Sequence, residues 1–176
     1  WPLVVDNSNS KADTLPSITT KNASVITCSG LNPNNFNASI DGKETLLYTL
    51  VNRNGMEVCI TNFGARIVSI MVPDRKGVLQ DVVLGYDNIM QYADYQNFGS
   101  DFGAAIGRYA NRINQGRITI DGKTIQLPQN NFGHCLHGGF KGWQYQVYDG
   151  KQLNDSTIEM SLVSPDGDNS FPGTIS

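Results

Sequence analysis

From Leu46 onward, hydrophobic and polar positions alternate in short runs, each closed by turn residues. Residues 46–51 and 56–61 alternate on either side of Asn54-Gly55. Asn-Gly between two such runs predicts a hairpin in which both turn residues take positive φ. Residues 65–72 form a third run, closed by Pro73-Asp74, and 81–84 read as a short apolar strand. Residues 117–120 and 123–127 flank Asp121-Gly122, a second hairpin of the same kind. Residues 143–148 and 157–163 are further strand candidates, and 88–95 is a short helix candidate. Strands at spacings of about 8–12 residues predict an all-β sandwich or barrel. No tandem repeat or run of like charge is visible. About nine strands could close a sandwich on themselves. Alternatively, ending at Ser176 just after Phe171-Pro172-Gly173, they form the front part of a longer fold.

Composition narrows the partners. The 176 residues carry 13 Lys plus Arg against 16 Asp plus Glu, a formal charge of −3. Nucleic-acid binding needs clustered positive charge, so no nucleic-acid partner is expected. Hydrophobic residues make up 39%, enough for a packed core. No stretch approaches the roughly 20 apolar residues that span a bilayer, so no membrane span is expected. The 18 glycines fit a turn-rich chain of short strands.

Residues 1–39 are rich in Ser, Asn and Thr and read as a flexible lead-in, with the folded domain over 40–176. The chain opens on Trp1 rather than Met, which implies a processed or cut N-terminus with any leader already gone. The compartment stays open, with export (periplasmic or extracellular) leaning ahead of the cytoplasm. Cys28, Cys59 and Cys135 are odd in number and fit no disulfide framework; Cys59, in an apolar strand, reads as core. Asn22, Asn37 and Asn154 match the glycosylation sequon by pattern only.

Three clusters rise above this background: 107–113, 130–139 and 164–168. Both histidines, His134 and His137, lie in the second. Histidine is the usual general acid or base near neutral pH. Two glycines after His137 let a ligand or another backbone come close. The plain alternative is a turn histidine bonded to a loop carbonyl. Arg112 either bridges strands as a buried structural arginine or presents its fork of donors to sugar hydroxyls or a carboxylate. His134-Cys135-x-His137 has ligand types but falls short of the three or four ligands of a zinc site. Asp166-x-Asp168-x-Ser170 lacks the glycine and closing glutamate of a calcium loop and reads as a turn. No metal is expected.

At these residues the chain resembles the aldose 1-epimerase (galactose mutarotase) family. The matching segments are Asn62-Phe63-Gly64-Ala65, Pro73-Asp74-Arg75-x-Gly77, Asp81-Val82-Val83-Leu84-Gly85, Phe102-Gly103, residues 107–113, Asp121-Gly122 with Leu127, and Leu136-His137-Gly138-Gly139. Residues 164–173 resemble the loop that follows the family's next hairpin. Order and spacing agree over about three quarters of the chain. The resemblance implies a large antiparallel β-sandwich, present here as a partial domain, whose concave face holds a sugar. It implies interconversion of the α and β anomers of aldohexoses such as galactose and glucose, without a cofactor.

That reaction opens the hemiacetal ring. A base takes the proton of the anomeric hydroxyl, an acid gives one to the ring oxygen, and the C1–C2 bond turns before the ring recloses. By resemblance, His137 is the first active-site histidine, near the ring oxygen. Asn111 and Arg112 are the sugar-binding pair, and His134 is structural. The family's second histidine, its sugar-binding aspartate and its glutamate base would fall after Ser176. The resemblance therefore implies poor activity for these residues alone, and a half-sandwich would expose strand edges and an apolar face, so self-association through exposed strands is expected. The alternative is a non-catalytic carbohydrate-binding or accessory domain of the same fold.

Overall fold

The computed structural model describes the backbone of residues 3–4 and all of residues 25–176. The described chain opens with β1 (Leu3–Val4), a 3-10 turn (Pro33–Phe36) and a hairpin of β2 (Ala38–Ile40) and β3 (Lys43–Thr45). A four-stranded meander follows: β4 (Leu47–Val51), β5 (Glu57–Thr61), β6 (Arg66–Pro73) and β7 (Leu79–Asp81). Two short helices come next, α1 (Ile89–Ala93) and α2 (Tyr95–Phe98). Then come β8 (Arg112–Ile113), the hairpin of β9 (Arg117–Ile120) and β10 (Lys123–Gln126), and β11 (Cys135–Leu136), which pairs back onto β8. Finally β12 (Asp149–Asn154) and β13 (Thr157–Ser161) form a hairpin that β1 widens to three strands. Every strand pairing among the described residues is antiparallel.

The meander is the frame because β5, at its centre, is covered on both faces and all five of its residues are buried. On one face Cys59 joins Leu47, Val68, Phe36, Ile89 and Tyr92. On the other, Val58 and Ile60 pack with Leu50 of β4 and Ile158 of β13. Alternation along each strand sends successive side chains to opposite layers. A smaller core of Leu127, Cys135 and Phe171 lies under β8 to β11 and seats the candidate site.

The turns explain where pattern and fold part. Asp121 and Gly122 both take positive φ (49° and 74°), so β9 and β10 are joined by the expected two-residue turn. Asp41-Gly42 makes the same turn between β2 and β3 (φ 51° and 77°). At the first hairpin Gly55 takes φ 80° and Asn54 does not. Asn52 closes that longer connection, its Oδ1 accepting from the N–H groups of Asn54 (2.9 Å) and Met56 (3.0 Å).

Two strand expectations are corrected. The strand placed at 81–84 is β7 at Leu79–Asp81, and Val82 and Leu84 are exposed past its end. The strand placed at 143–148 is a 3-10 turn (Trp143–Tyr145) leading to a single bridge between Val147 and Phe63. The Trp143 ring lies flush on Gly107, where any Cβ would collide with it, and this contact fixes the turn. The helix expected over 88–95 is α1, capped by the Asn88 side chain accepting from the Gln91 N–H (3.1 Å).

Of the lead-in read over 1–39, residues 1–2 and 5–24 lie outside the described residues. Leu31 and Phe36 are buried in the main core, so packing begins ahead of residue 40.

Candidate active site

The strand pair β8–β11 builds the site. Arg112 stands opposite Leu136, and Ile113 opposite Cys135. Just beyond this pair both chains turn into the left-handed region, at Asn111 (φ 67°) and His137 (φ 52°). There they lock together. The His137 N–H donates to the Asn111 carbonyl (3.2 Å), and the Asn111 N–H donates to His137 Nδ1 (2.9 Å). Because Nδ1 accepts, the neutral imidazole carries its proton on Nε2. The Asn111 side chain bonds its own neighbour, Oδ1 accepting from the Arg112 N–H (2.9 Å).

Arg112 is exposed, and its Nε donates to Asn131 Oδ1 (2.9 Å). Neither of its Nη nitrogens has a protein acceptor among the described residues. The guanidinium is thus oriented through one edge and free along the other. Asn131 is held in turn by a bridge to His134, whose Nδ1 accepts from the Gln115 N–H (3.0 Å). His134 is therefore a loop staple. Asn130 extends the ladder with its side chain, bonding both the N–H (2.8 Å) and the carbonyl (2.9 Å) of Leu136.

Beneath the histidine turn, space is tight. A Cβ on Gly138 would collide with the Gly107 carbonyl, and one on Gly142 with the His137 carbonyl. Gln144, buried, donates from Nε2 to that His137 carbonyl (3.1 Å). The Gln144 carbonyl accepts from Arg66 Nη2 (3.0 Å), and Arg66 Nη1 reaches the carbonyls of Ser100 (2.7 Å) and Phe102 (3.3 Å). Arg66 is fully buried, stacked 4.7 Å over the Tyr92 ring, with no carboxylate within ion-pair distance among the described residues. Burial pushes its pKa down, yet a guanidinium keeps its proton in a protein. The buried bridging arginine that the sequence offered as one reading of Arg112 exists, and it is Arg66.

Arg108 clamps the 164–172 segment. It donates to Ser164 Oγ (2.8 Å) and to the carbonyls of Ser164 (2.8 Å), Pro165 (2.6 Å) and Pro172 (3.0 Å). Between this clamp and the β9–β10 hairpin runs an open groove of about 560 Å³, lined by Arg108, Tyr109, Arg112, Ile118, Phe171 and Ile175 among others. Asn111 and His137 do not line it. The structure thus joins Asn111 to His137 directly, sets Arg112 one register step away, and opens the groove on the Arg112 side.

The pattern of the chain showed no sign of Arg66, whose partners are backbone carbonyls 34 to 78 residues away, or of Gln144, which supports the His137 carbonyl from within the segment read as a strand. Arg108, Asn130 and Asn131 did sit inside flagged clusters. Among the described residues, no group of three His, Cys, Asp or Glu side chains is arranged to hold a metal ion.

This geometry coincides with a family. Residues 46–176 match the family model described as aldose 1-epimerase. The chain belongs to the aldose 1-epimerase family. It is 40% identical over 120 residues to galactose mutarotase of Rattus norvegicus, a stretch that is 68% of this chain and 34% of that protein. It is 37% identical over 135 residues to aldose 1-epimerase of Escherichia coli (strain K12), covering 77% and 38%. The chain thus spans about a third of the length of the curated relatives it matches.

Solved structures agree. The GalM/aldose epimerase homologue of C. elegans superposes with a TM-score of 0.68 at 30% identity, over 74% of this chain and 39% of that one. The galactose 1-epimerase of Lactobacillus acidophilus NCFM gives 0.66 at 29%, over 77% and 39%. The fold is therefore that of the family's β-sandwich, and the family is one of isomerases.

Proposed function

We propose that this chain carries the ring-oxygen side and part of the sugar cradle of an aldose 1-epimerase acting on aldohexoses such as galactose and glucose. The carrying observation is the lock between Asn111 and His137, in which Nδ1 accepts from the Asn111 N–H and Nε2–H is left as the ring's donor. Such a donor suits a sugar ring oxygen that gains charge as the ring opens. Arg112 has guanidinium nitrogens free for sugar hydroxyls, and Asn131 holds their plane. These groups position the substrate, since holding hydroxyls still while C1 turns is what makes reclosure productive. Mutarotation needs two proton-transfer groups. The second histidine of this chain, His134, is engaged with Gln115. On this reading these residues bind sugar through Arg112 and His137, and turnover needs a second proton-transfer group beside them.

The test combines chemical-shift titration with galactose and polarimetry of freshly dissolved α-galactose. Galactose should perturb the His137 and Arg112 resonances, and Arg112→Ala should weaken binding by about tenfold, the loss of one charged hydrogen bond. Absence of any sugar-dependent shift at millimolar galactose would sink the reading. Rotation decaying well above the buffer rate would overturn the division of labour.

Self-association is the second part of the proposal. Val82, Leu84, Phe102, Phe132 and Phe140 are all more than 60% exposed. Val82 and Leu84 follow β7, an edge strand of the meander whose open side can pair with a second chain. Sedimentation velocity should show dimers or larger species at micromolar concentration, and a sharp monomer boundary would count against it.

A further inference from the structure

His137 stands in the left-handed region (φ 52°), where a residue with a Cβ is strained and has to be held. Three of its atoms are held. Asn111 engages its N–H and its Nδ1. Its carbonyl accepts from Gln144 Nε2 (3.1 Å), and no other group among the described residues donates to it. Gln144 is only 2% exposed. Its own carbonyl is clamped by Arg66 Nη2 (3.0 Å), and a Cβ on Gly64 would come within 2.5 Å of that carbonyl. The Trp143 N–H pins the start of the same turn to the Gly107 carbonyl (3.2 Å). Gly142 leaves the room for the amide, since a Cβ there would collide with both the His137 carbonyl and Gln144 Oε1. That Oε1 is buried and has no partner among the described residues. An unpaired buried acceptor costs stability. Turning the amide over would set Oε1 against the His137 carbonyl, so that carbonyl fixes which way the amide lies. A side chain that leaves one end unpaired while the other holds a site residue breaks a rule of stable packing where function would ask for it.

We propose that Gln144 is a positioning residue: through the His137 carbonyl it fixes the backbone from which the imidazole extends, and so sets how tightly the site holds a sugar. This rests on the reading of His137 as a donor to the sugar. The path is short. The His137 carbonyl belongs to the peptide plane shared with Gly138, where a Cβ would already collide with the Gly107 carbonyl. With the carbonyl bonded to Gln144 and Gly138 confined, this plane has one setting. The imidazole hangs from the same Cα, so the bond from the Asn111 N–H to Nδ1 keeps its geometry only while that Cα stays in place. Arg66 acts one step further back, on the carbonyl of Gln144. Small displacements of a binding group weaken its hold on a substrate, so a donor far from the sugar can still govern affinity.

The test is Gln144→Met in the whole chain. Methionine keeps the length and volume of the side chain and removes the donor together with the unpaired oxygen. Those two losses offset each other, so the variant should melt close to the unchanged chain. Its Asn111 amide should exchange with deuterium about fivefold faster, the factor that one net hydrogen bond represents, while the amides of β5 keep their rate. Galactose affinity, read by titrating the His137 ring resonances, should weaken by a similar factor of about five. An unmoved Asn111 amide, an acceleration shared equally by β5, or unchanged galactose affinity would each overturn the role. If Gln144→Met does not fold, the unchanged chain decides. There the Gln144 Nε2 protons should exchange slowly and show scalar coupling to the His137 carbonyl carbon; exchange at the rate of a free amide, with no coupling, would overturn the proposal. A chain whose resonances ignore galactose altogether would sink the functional reading, and the Asn111 measurement would still judge Gln144.

Discussion

Tyr148 buries a hydroxyl that finds no hydrogen-bond partner among the described residues. Burial pushes its pKa from 10.0 up to about 12. Below 10 the folded and unfolded chains both keep this proton. Between 10 and about 12 the unfolded chain loses it first, so stability falls as pH rises through that window. Tyr148→Phe removes the unpaired hydroxyl and its share of the alkaline loss, leaving the shares of Tyr48, Tyr92 and Tyr145, whose pKa values burial also raises. It should keep stability at neutral pH or raise it by about 1 kcal/mol. Urea unfolding of both proteins, at neutral pH and inside the window, checks this; a parallel alkaline loss in the variant would contradict it. Single residues also mark the limit of sequence reading at the site. Asn111, Arg112 and His137 stand out because their neighbours do: glycines, paired asparagines and a second histidine. Arg66 does not, because an arginine in an alternating strand looks like any solvent-facing polar position. Only the tertiary fold turns it inward, against three carbonyls and a tyrosine ring.

Among the elements, two of the three Asx-Gly hairpins, β4–β5 and β9–β10, look alike in sequence and differ in construction. At β9–β10 the pattern finds both strands to within a residue, because a two-residue turn fixes the register by itself. At β4–β5 the alternation finds the strands, but Asn52 sets the turn and Gly55 carries the left-handed residue. Gly55→Ala should therefore cost about 1 kcal/mol, and Asn54→Ala should stay within about 0.5 kcal/mol. Thermal melts of the two variants decide between this turn and an Asn-Gly turn of the two-residue kind, in which both positions would matter. The segment at 143–148 defeats pattern reading for another reason. Its alternating residues serve separate contacts: the Trp143 ring on Gly107, Gln144 under His137, and Tyr145 donating to Asp101 Oδ1 (2.8 Å). Each contact reaches a different part of the chain, so no strand period governs them.

At the scale of the molecule, the class of fold is legible in the sequence, as are the clusters from which the candidate site is drawn, and the support of those clusters is not. The supports run from β6 through Arg66 and Gln144 to the His137 turn, and from Arg108 to the loop at 164–172. The Arg66 and Arg108 ties span dozens of residues, and local spacing holds no record of them. The fully enclosed β5 has a consequence of a different sort. Its backbone amides are sealed between two layers and pinned by a neighbour on each side, so a local flicker of the surface does not bare them. They meet solvent deuterons when the two layers part, and their exchange therefore keeps time with the opening of the whole fold.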